Sequence, residues 1–333
     1  MSSGPAGWWA MPVAERLPPF TPARFALPVV HNPEAGGGLW PVARLGAQLD
    51  AQGLAAAPLI HAKDPDLGPR LAAAAAGRRP EEVPVLVAGG DGTVARLLRA
   101  LPDRRMPVAI LATGSANNIA RSFGLHLPDP DDQNGERVDL AARVLGGIAC
   151  PWHAGRVHPG GPEAGAPRLF FESVGFGAIA AAMDGGGKDL HGLPKILAGR
   201  AALAEALAAG RPQRCRLTLG DRVVARRSLL VEIPCLPWTG PRLLIAPGLS
   251  PGGRQVCAVT LPARHLAAAR AWLADPEMPV HALSPLTAPH IVLDGLTGPV
   301  RVDDAQLTED AAGRPFAFDR DPDPFRILTD PDI

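Results

Sequence analysis

The feature that most constrains the fold is a rhythm in the first 150 residues. Apolar runs in FALPVVHNP, AAPLIHA, VPVLVA and MPVAILA each read as a strand, and each is followed by a loop and a helical pattern. VPVLVA is apolar at every position, as a parallel strand covered on both faces must be. After it, Val94, Leu97, Leu98 and Leu101 fall at the i, i+3, i+4, i+7 spacing of a helix with one apolar stripe. AGGGLWPVARLGAQLD predicts a Gly-rich turn and a helix with Leu39, Val42, Ala43, Leu45, Gly46 and Leu49 on or near one stripe. PDLGPRLAAAAAG predicts a helix that stops at Gly77. Strands that alternate with helices predict an α/β domain on a parallel sheet.

After about Cys150 the texture changes. RLFFESVGFG, CRLTLGDRVVARRSLLVEI, RQVCAVTLP, HIVLDGL and PFAFDRD are short strand patterns between Gly, Pro and Asp turns, with Gly220-Asp221 as a hairpin tip. Two helices interrupt them, near Pro194–Ala209 and Ala263–Ala274. This half predicts a mostly antiparallel, all-β sandwich or barrel. A chain of 333 residues, 47% of them hydrophobic, suits two such cores.

Charge and cysteine narrow the function classes. Lys+Arg and Asp+Glu are 33 each, so bulk attraction to nucleic acid is not expected. Cys150, Cys215, Cys235 and Cys257 lie far apart with no CxxC pair, which argues against a zinc site and for a reducing, cytoplasmic compartment. No window holds about 18 uninterrupted apolar residues, so no transmembrane segment is expected.

Two turns carry the chemistry: Gly89-Gly90-Asp91-Gly92-Thr93 and Thr113-Gly114-Ser115-Ala116-Asn117-Asn118. Both follow predicted parallel strands, at the strand ends where open α/β sheets bind ligands. Asn32-Pro33-Glu34-Ala35-Gly36-Gly37-Gly38 holds the same position in its own unit. Glycines let backbone approach an anion, and the first N–H groups of a helix are unpaired donors. None of the three is a GxGxxG or a GxxxxGK[ST] loop, which excludes the common dinucleotide and P-loop readings. Each also reads as a tight turn with a helix cap, with Asp91, Thr93 or Asn117 as the capping residue. Three on consecutive units favour a bound polyphosphate. A carboxylate at Asp91 would repel it unless a cation stands between.

These residues resemble a family. Gly89-Gly90-Asp91-Gly92-Thr93 is the hallmark of the diacylglycerol kinase and sphingosine kinase-like lipid kinases, relatives of the NAD kinases. HNPEAGGG (His31–Gly38) resembles their Asn-Pro-x-Ser-Gly entry motif, with Ala35 for Ser. LATGSANNIAR (Leu111–Arg121) resembles Pro-Leu-Gly-Thr-Gly-Asn-Asp-Phe-Ala-Arg, with Ser115 for Thr and Asn118 for Asp. FFESVGFGAIA, PWTGPRLLIAP and VRVDDAQL follow in family order, so the resemblance spans nearly the whole chain from about Phe25.

The resemblance implies an N-terminal, NAD kinase-like three-layer α/β domain, a C-terminal β-sandwich and a nucleotide cleft between them. It implies a tail over 1–22, a catalytic α/β domain over 23–149, a β domain over 150–324, and a strand at 325–333 that returns to the first domain. It further implies transfer of the γ-phosphoryl group of ATP, with Mg²⁺, to the hydroxyl of a diacylglycerol or sphingoid base at a membrane surface. The protein would then be cytoplasmic or membrane-peripheral, and a homodimer is an admissible state. Asn32, Gly37, Gly38, Gly89, Gly90, Asp91, Gly92, Thr93, Gly114, Ser115 and Asn117 would surround the nucleotide. Asp91 would hold the metal or accept the hydroxyl proton.

Two departures stand out. The family's Asp-Gly-Glu becomes Asp303-Asp304-Ala305, and Ala305 cannot accept a proton as that glutamate does. Asp303 and Asp304 are the carboxylates left there, and Asp304 could substitute only through a bulge or turn. Ala246–Gln255 holds no Asp or Glu, so a second-domain Mg²⁺ site is not expected. The alternative reading is therefore a nucleotide-binding, catalytically weak or inactive regulatory homologue.

Overall fold

The computed structural model describes residues 14–18, 20, 26–128, 138–185, 187, 189–275, 283–307 and 313–331. The chain divides into two compact units, one of residues 12–152 and 323–333, the other of residues 153–322. Among the described residues no helix is long and apolar enough to cross a membrane.

In the first unit the elements run β1 (Glu15–Arg16), β2 (Leu27–His31), α1 (Val42–Ala51), β3 (Ala56–His61), α2 (Leu67–Ala75), β4 (Val85–Gly89), α3 (Asp91–Ala100), β5 (Pro107–Ala112), α4 (Asn118–Ser122), α5 (Leu140–Gly146), β6 (Ile148–Trp152) and β7 (Phe325–Leu328). They form one seven-stranded sheet in the order β1-β6-β7-β5-β4-β2-β3. β3, β2, β4 and β5 are parallel, as their alternation with helices requires. β4 and β5 are buried at every residue, which explains runs with no polar alternation. Leu27 and Val29, Leu86 and Ala88, and Ala109 and Leu111 share one face of the sheet. They pack with Leu45 and Leu49 of α1 and Leu140 and Val144 of α5.

Three details depart from the sequence reading. Leu39 and Val42 are about half exposed, because the helix starts only at Val42 and buries its face through Leu45 and Leu49. The strand after Gly147 belongs to the α/β unit, antiparallel to β7, so the change of texture near Cys150 precedes the boundary by a few residues. Part of the expected tail is held: Glu15 and Arg16 pair with Ala149 and Ile148, and Leu17 donates to the Gly147 carbonyl at 2.7 Å. Residues 1–13, 19, 21 and 22 of that tail lie outside the described residues.

β7 lies parallel to β5 and antiparallel to β6, so the last strand of the chain completes the first sheet. An ion pair fixes it. Arg143 on α5 is fully buried and meets Asp330 twice, Nε to Oδ1 at 2.8 Å and Nη2 to Oδ2 at 2.9 Å. Nη1 of Arg143 donates to the Ile110 carbonyl of β5, and the His126 amide donates to Asp330 Oδ2 at 2.9 Å. Burial pulls the Arg143 guanidinium below its ordinary value and Asp330 opposes that pull.

Among the described residues the second unit holds two six-stranded antiparallel sheets and a two-stranded ribbon. Phe176 of one sheet meets Phe316 and Phe318 of the other edge-on, with centroids 5.2 and 6.4 Å apart. The strands Gln213–Leu219 and Arg222–Ser228 join through Gly220-Asp221, with Leu219 opposite Arg222, as the hairpin reading requires. Helices occupy Gly192–Ala209 and Leu266–Ala274, the second preceded by a 3-10 turn at Ala263–His265. All four cysteines are buried and none is in a disulfide.

Two measurements probe the first unit. Asp330→Ala leaves a buried guanidinium without its partner and is expected to cost about 3–5 kcal/mol in denaturant unfolding, most of it recovered when Arg143 is made methionine as well. Burial, chiefly, lowers His31 from its ordinary value of 6.5, and its Nε2–H donates to the Trp40 carbonyl at 2.8 Å. The unfolded chain then binds the proton more readily than the folded one. His31 leaves stability untouched above about pH 6.5 and lowers it as pH falls below that point. His31→Gln keeps an N–H donor without titrating, and should flatten the acid limb of the melting temperature against pH.

Candidate functional site

β2, β4 and β5 are parallel neighbours, so the three glycine-bearing loops leave the same edge of the sheet side by side. Their glycines decide how closely they approach. A Cβ on Gly114 would lie 2.4 Å from the Gly90 Cα, and one on Gly36 would lie 2.2 Å from the Thr113 carbonyl oxygen. Both distances are too short for real atoms, so backbone touches backbone at both seams. Gly36 also has φ 63°, in the left-handed region, followed by Gly37 at 86° and Gly38 at 80°.

Side chains lock the same seams. Asn32 Nδ2 donates to Thr93 Oγ1 at 3.3 Å, and Asn32 Oδ1 accepts from the Glu34 amide at 3.2 Å. Thr93 sits over Gly89, where any Cβ would fall 2.5 Å from the threonine side chain. The five residues of Gly89-Gly90-Asp91-Gly92-Thr93 thus divide the work. Gly89 makes room for Thr93, Gly90 admits Gly114, Thr93 receives Asn32, and exposed Gly92 lies in the first turn of α3, where intrahelical acceptors run out.

Asp91 is the first residue of α3, yet it caps a different helix. Its Oδ1 accepts the Ile119 amide at 2.9 Å, and the Asn118 amide also bonds the carboxylate, so Asp91 serves the N-terminus of α4. Burial pushes its carboxyl above the usual carboxylate range, against the pull of those amides and of the Arg121 charge. Arg121 donates from Nε to the Ala116 carbonyl at 3.2 Å, which keeps its charge on this loop.

Asn117 has φ 55°, the left-handed conformation that asparagine tolerates. Its side chain turns inward: Oδ1 accepts from the Gly114 amide at 2.9 Å, and Nδ2 donates to the carbonyls of Ala112 and Gly114 at 3.2 and 2.9 Å. Expected beside the nucleotide, it is buried and shapes the loop from behind. Gly114, Ser115 and Ala116 form the partly exposed crest of that turn. Sequence reasoning gave Thr113 no separate role. It is buried, and its hydroxyl has no hydrogen-bond partner among the described residues. A threonine at a strand end just before a glycine turn is the signal that would have marked it.

Asp303 and Asp304 belong to the other unit. They form the two-residue turn of a hairpin in which Val302 pairs with Ala305. Asp303 is buried with φ 53°, and its Oδ1 accepts the amides of Phe171 and Glu172 at 2.9 and 2.7 Å. Its visible task is to hold that turn against the neighbouring strand. Asp304 and Ala305 are exposed. Beside them Arg301 forms a buried ion pair with Glu232 and donates to Ser173 Oγ at 2.7 Å. His153 is buried in this unit too, its Nδ1 2.7 Å from the Asp321 carbonyl oxygen.

The three-loop edge offers amides, a glycine cradle and two carboxylates, Glu34 paired with Lys63 and Asp91 turned to the start of α4. That suits a polyphosphate. Among the described residues no three His, Cys, Asp or Glu side chains gather as a protein-only metal cage would need. A lone carboxylate such as Asp91 would suit only the other kind of magnesium site, in which phosphate oxygens and water supply most of the shell.

Gly114→Ala should test the cradle. Forcing a methyl into the Gly90 backbone is expected to cost about 3 kcal/mol or more and to displace both loops. Gly46 in α1 has open space around it, so Gly46→Ala should gain about 0.5–1 kcal/mol and serve as control. Chemical denaturation of both variants reads the contrast.

The comparisons with known proteins agree with this geometry. Residues 26–145 match the diacylglycerol kinase catalytic domain. A structure of a diacylglycerol kinase from Bacillus anthracis str. Sterne is similar at 15% identity, TM-score 0.64, over 92% of this chain and 98% of that one. A further chain from that strain, assigned to the same class, is similar at 16% identity, TM-score 0.68, over 92% and 96%. Yeast NADH kinase is similar at 9% identity, TM-score 0.50, over 94% and 84%. At these identities the likeness establishes the fold. No curated protein matches the sequence.

Proposed function

We propose that the chain is an ATP-dependent lipid kinase that phosphorylates a hydroxyl of a diacylglycerol or a sphingoid base, a reading supported by the match of residues 26–145 to the diacylglycerol kinase catalytic domain. One observation carries the reading: the loops after β2, β4 and β5 are knitted backbone to backbone into a single amide-rich edge, with Asp91 held across the seam between the second and third. Phosphoryl transfer asks the protein chiefly for positioning and charge neutralisation, and such an edge provides both.

In this reading the amides at the start of α3 and the crest Gly114-Ser115 bind the phosphates. Asn32, Gly37 and Gly38 bound the nucleotide side, and Asn117 acts by setting the crest. Mg²⁺, when bound, would neutralise phosphate charge and let Asp91 stand beside it. The acceptor hydroxyl oxygen forms a bond to the γ-phosphorus as the bond to the bridging oxygen breaks, and the hydroxyl proton leaves to a base. A carboxyl raised by burial is a better proton acceptor than an ordinary one, which suits Asp91 to that task as well as to the metal.

The second reading, a nucleotide-binding homologue with weak or no transfer, is favoured by the amides that already occupy the carboxylates of Asp91 and Asp303. Asp91→Asn separates the two. Asparagine Oδ1 still accepts the Ile119 amide and carries no partly desolvated charge, so melting temperature at neutral pH should hold or rise. Transfer from radiolabelled ATP to dispersed diacylglycerol or sphingoid base should fall by about 10²-fold or more. If wild type and variant both bind ATP and neither transfers phosphate to any lipid in the panel, the kinase reading fails and the regulatory one stands. Turnover of a water-soluble alcohol without lipid would move the substrate class.

A further inference from the structure

In the β-rich unit a cavity of about 350 Å³ is lined by Ala225, Arg226, Arg227, Thr260, Pro262 and Arg264. Three elements meet there: the edge strand Arg222–Ser228, the end of the strand Val256–Leu261, and the 3-10 turn Ala263–His265. The lining residues include three arginines and no acid. Arg226 donates from Nη1 to the Ala225 carbonyl at 3.3 Å, and among the described residues neither Arg227 nor Arg264 has an ion-pair partner.

Thr260 supplies an independent observation. It is 0% exposed, and its hydroxyl has no hydrogen-bond partner among the described residues. A buried hydroxyl left unpaired costs about 1–3 kcal/mol. Like charges gathered around one cavity add a further cost. A single tetrahedral anion relieves both, because its oxygens accept from an arginine fork and, once the Thr260 side chain turns its hydroxyl to the cavity wall, from that hydroxyl as well. The cavity is at the lower end of the range for small-molecule sites, which leaves room for a phosphomonoester and not only for the bare ion.

We propose that this cavity is a second anion site, built for a phosphate group carried either by free phosphate or by the phosphomonoester headgroup of a lipid. None of its residues belongs to the three-loop edge, so it stands or falls independently of the kinase reading.

The test uses the full chain and compares wild type with Arg227→Ala/Arg264→Ala, Thr260→Val and Thr260→Ser. Inorganic phosphate is titrated by calorimetry, and flotation is measured with phosphatidylcholine vesicles with and without phosphatidate. Any phosphate bound at the three-loop edge is common to all four proteins and drops out of the comparison. The double arginine variant should lose one binding event at a melting temperature that holds or rises slightly, since Arg227 and Arg264 are exposed and removing them relieves like-charge repulsion. Thr260→Val should weaken that event about tenfold, and Thr260→Ser should restore it. Phosphatidate-dependent flotation that disappears in the double variant identifies the headgroup as the ligand. A phosphate isotherm that depends on these residues without such flotation identifies the free ion. Absence of binding in wild type, or binding unchanged in the double variant, overturns the site. So does loss in the double variant with Thr260→Val unaffected, the result a merely basic surface would give.

Discussion

The α/β unit depends on the approach of two loop backbones at Gly90 and Gly114. Adjacent strands lie about 4.8 Å apart, so the loops that continue β4 and β5 meet unless side chains hold them off. With no Cβ on either residue they close to contact, and the other bonds of the site become reachable. Asp91 reaches the first amides of α4, Asn32 reaches Thr93, and the Thr113 carbonyl lies under Gly36. One seam therefore turns three separate strand–helix turns into one edge.

The acid in that edge follows the same logic. A carboxylate among phosphate-binding amides looks misplaced when the loop is taken alone. In the folded unit it is answered from across the seam by the amides of Asn118 and Ile119 and by the Arg121 charge. Asp91 thus stabilises the seam in the absence of any ligand. Under the kinase reading the cap and a chemical role would be compatible, since the cap engages the first amides of α4 and leaves the carboxylate its charge.

Much of this was legible in the sequence because it is local. The buried strands show as unbroken apolar runs, α3 shows as Val94, Leu97 and Leu98, and the hairpin tip shows as Gly220-Asp221. What escaped is long-range. Nothing near Asp91 says that its partner is 28 residues on, at the start of another helix. Arg143 in LAARVLG looks like a solvent-facing helix residue, and only Asp330, 187 residues later, permits its burial. β6 resembles the strands that follow it, since strand pattern does not reveal which sheet a strand joins. Thr260 is hidden among the buried residues of VCAVTL, where a threonine reads as an ordinary strand former.

The substitution at Ala305 is best weighed through the turn that precedes it. Asp303 adopts a left-handed conformation that aspartate tolerates better than most residues, and it fastens the turn through two amides of the adjacent segment. Those bonds involve backbone donors and Asp303 alone, so the residue at 305 is free to vary without loss of the hairpin; exposed Ala305 needs only to pair with Val302. The fold therefore tolerates the loss of a glutamate there. The chemistry tolerates it to the extent that phosphoryl transfer relies on positioning rather than on early proton removal. Under the kinase reading an aligned hydroxyl surrenders its proton late, and half-buried Asp91, its carboxyl raised by desolvation, is better suited to accept it than a solvated acid of ordinary strength. Under the kinase reading, the departure at Ala305 shifts the burden of proton acceptance toward the three-loop edge, where the acid is already held in place by the seam.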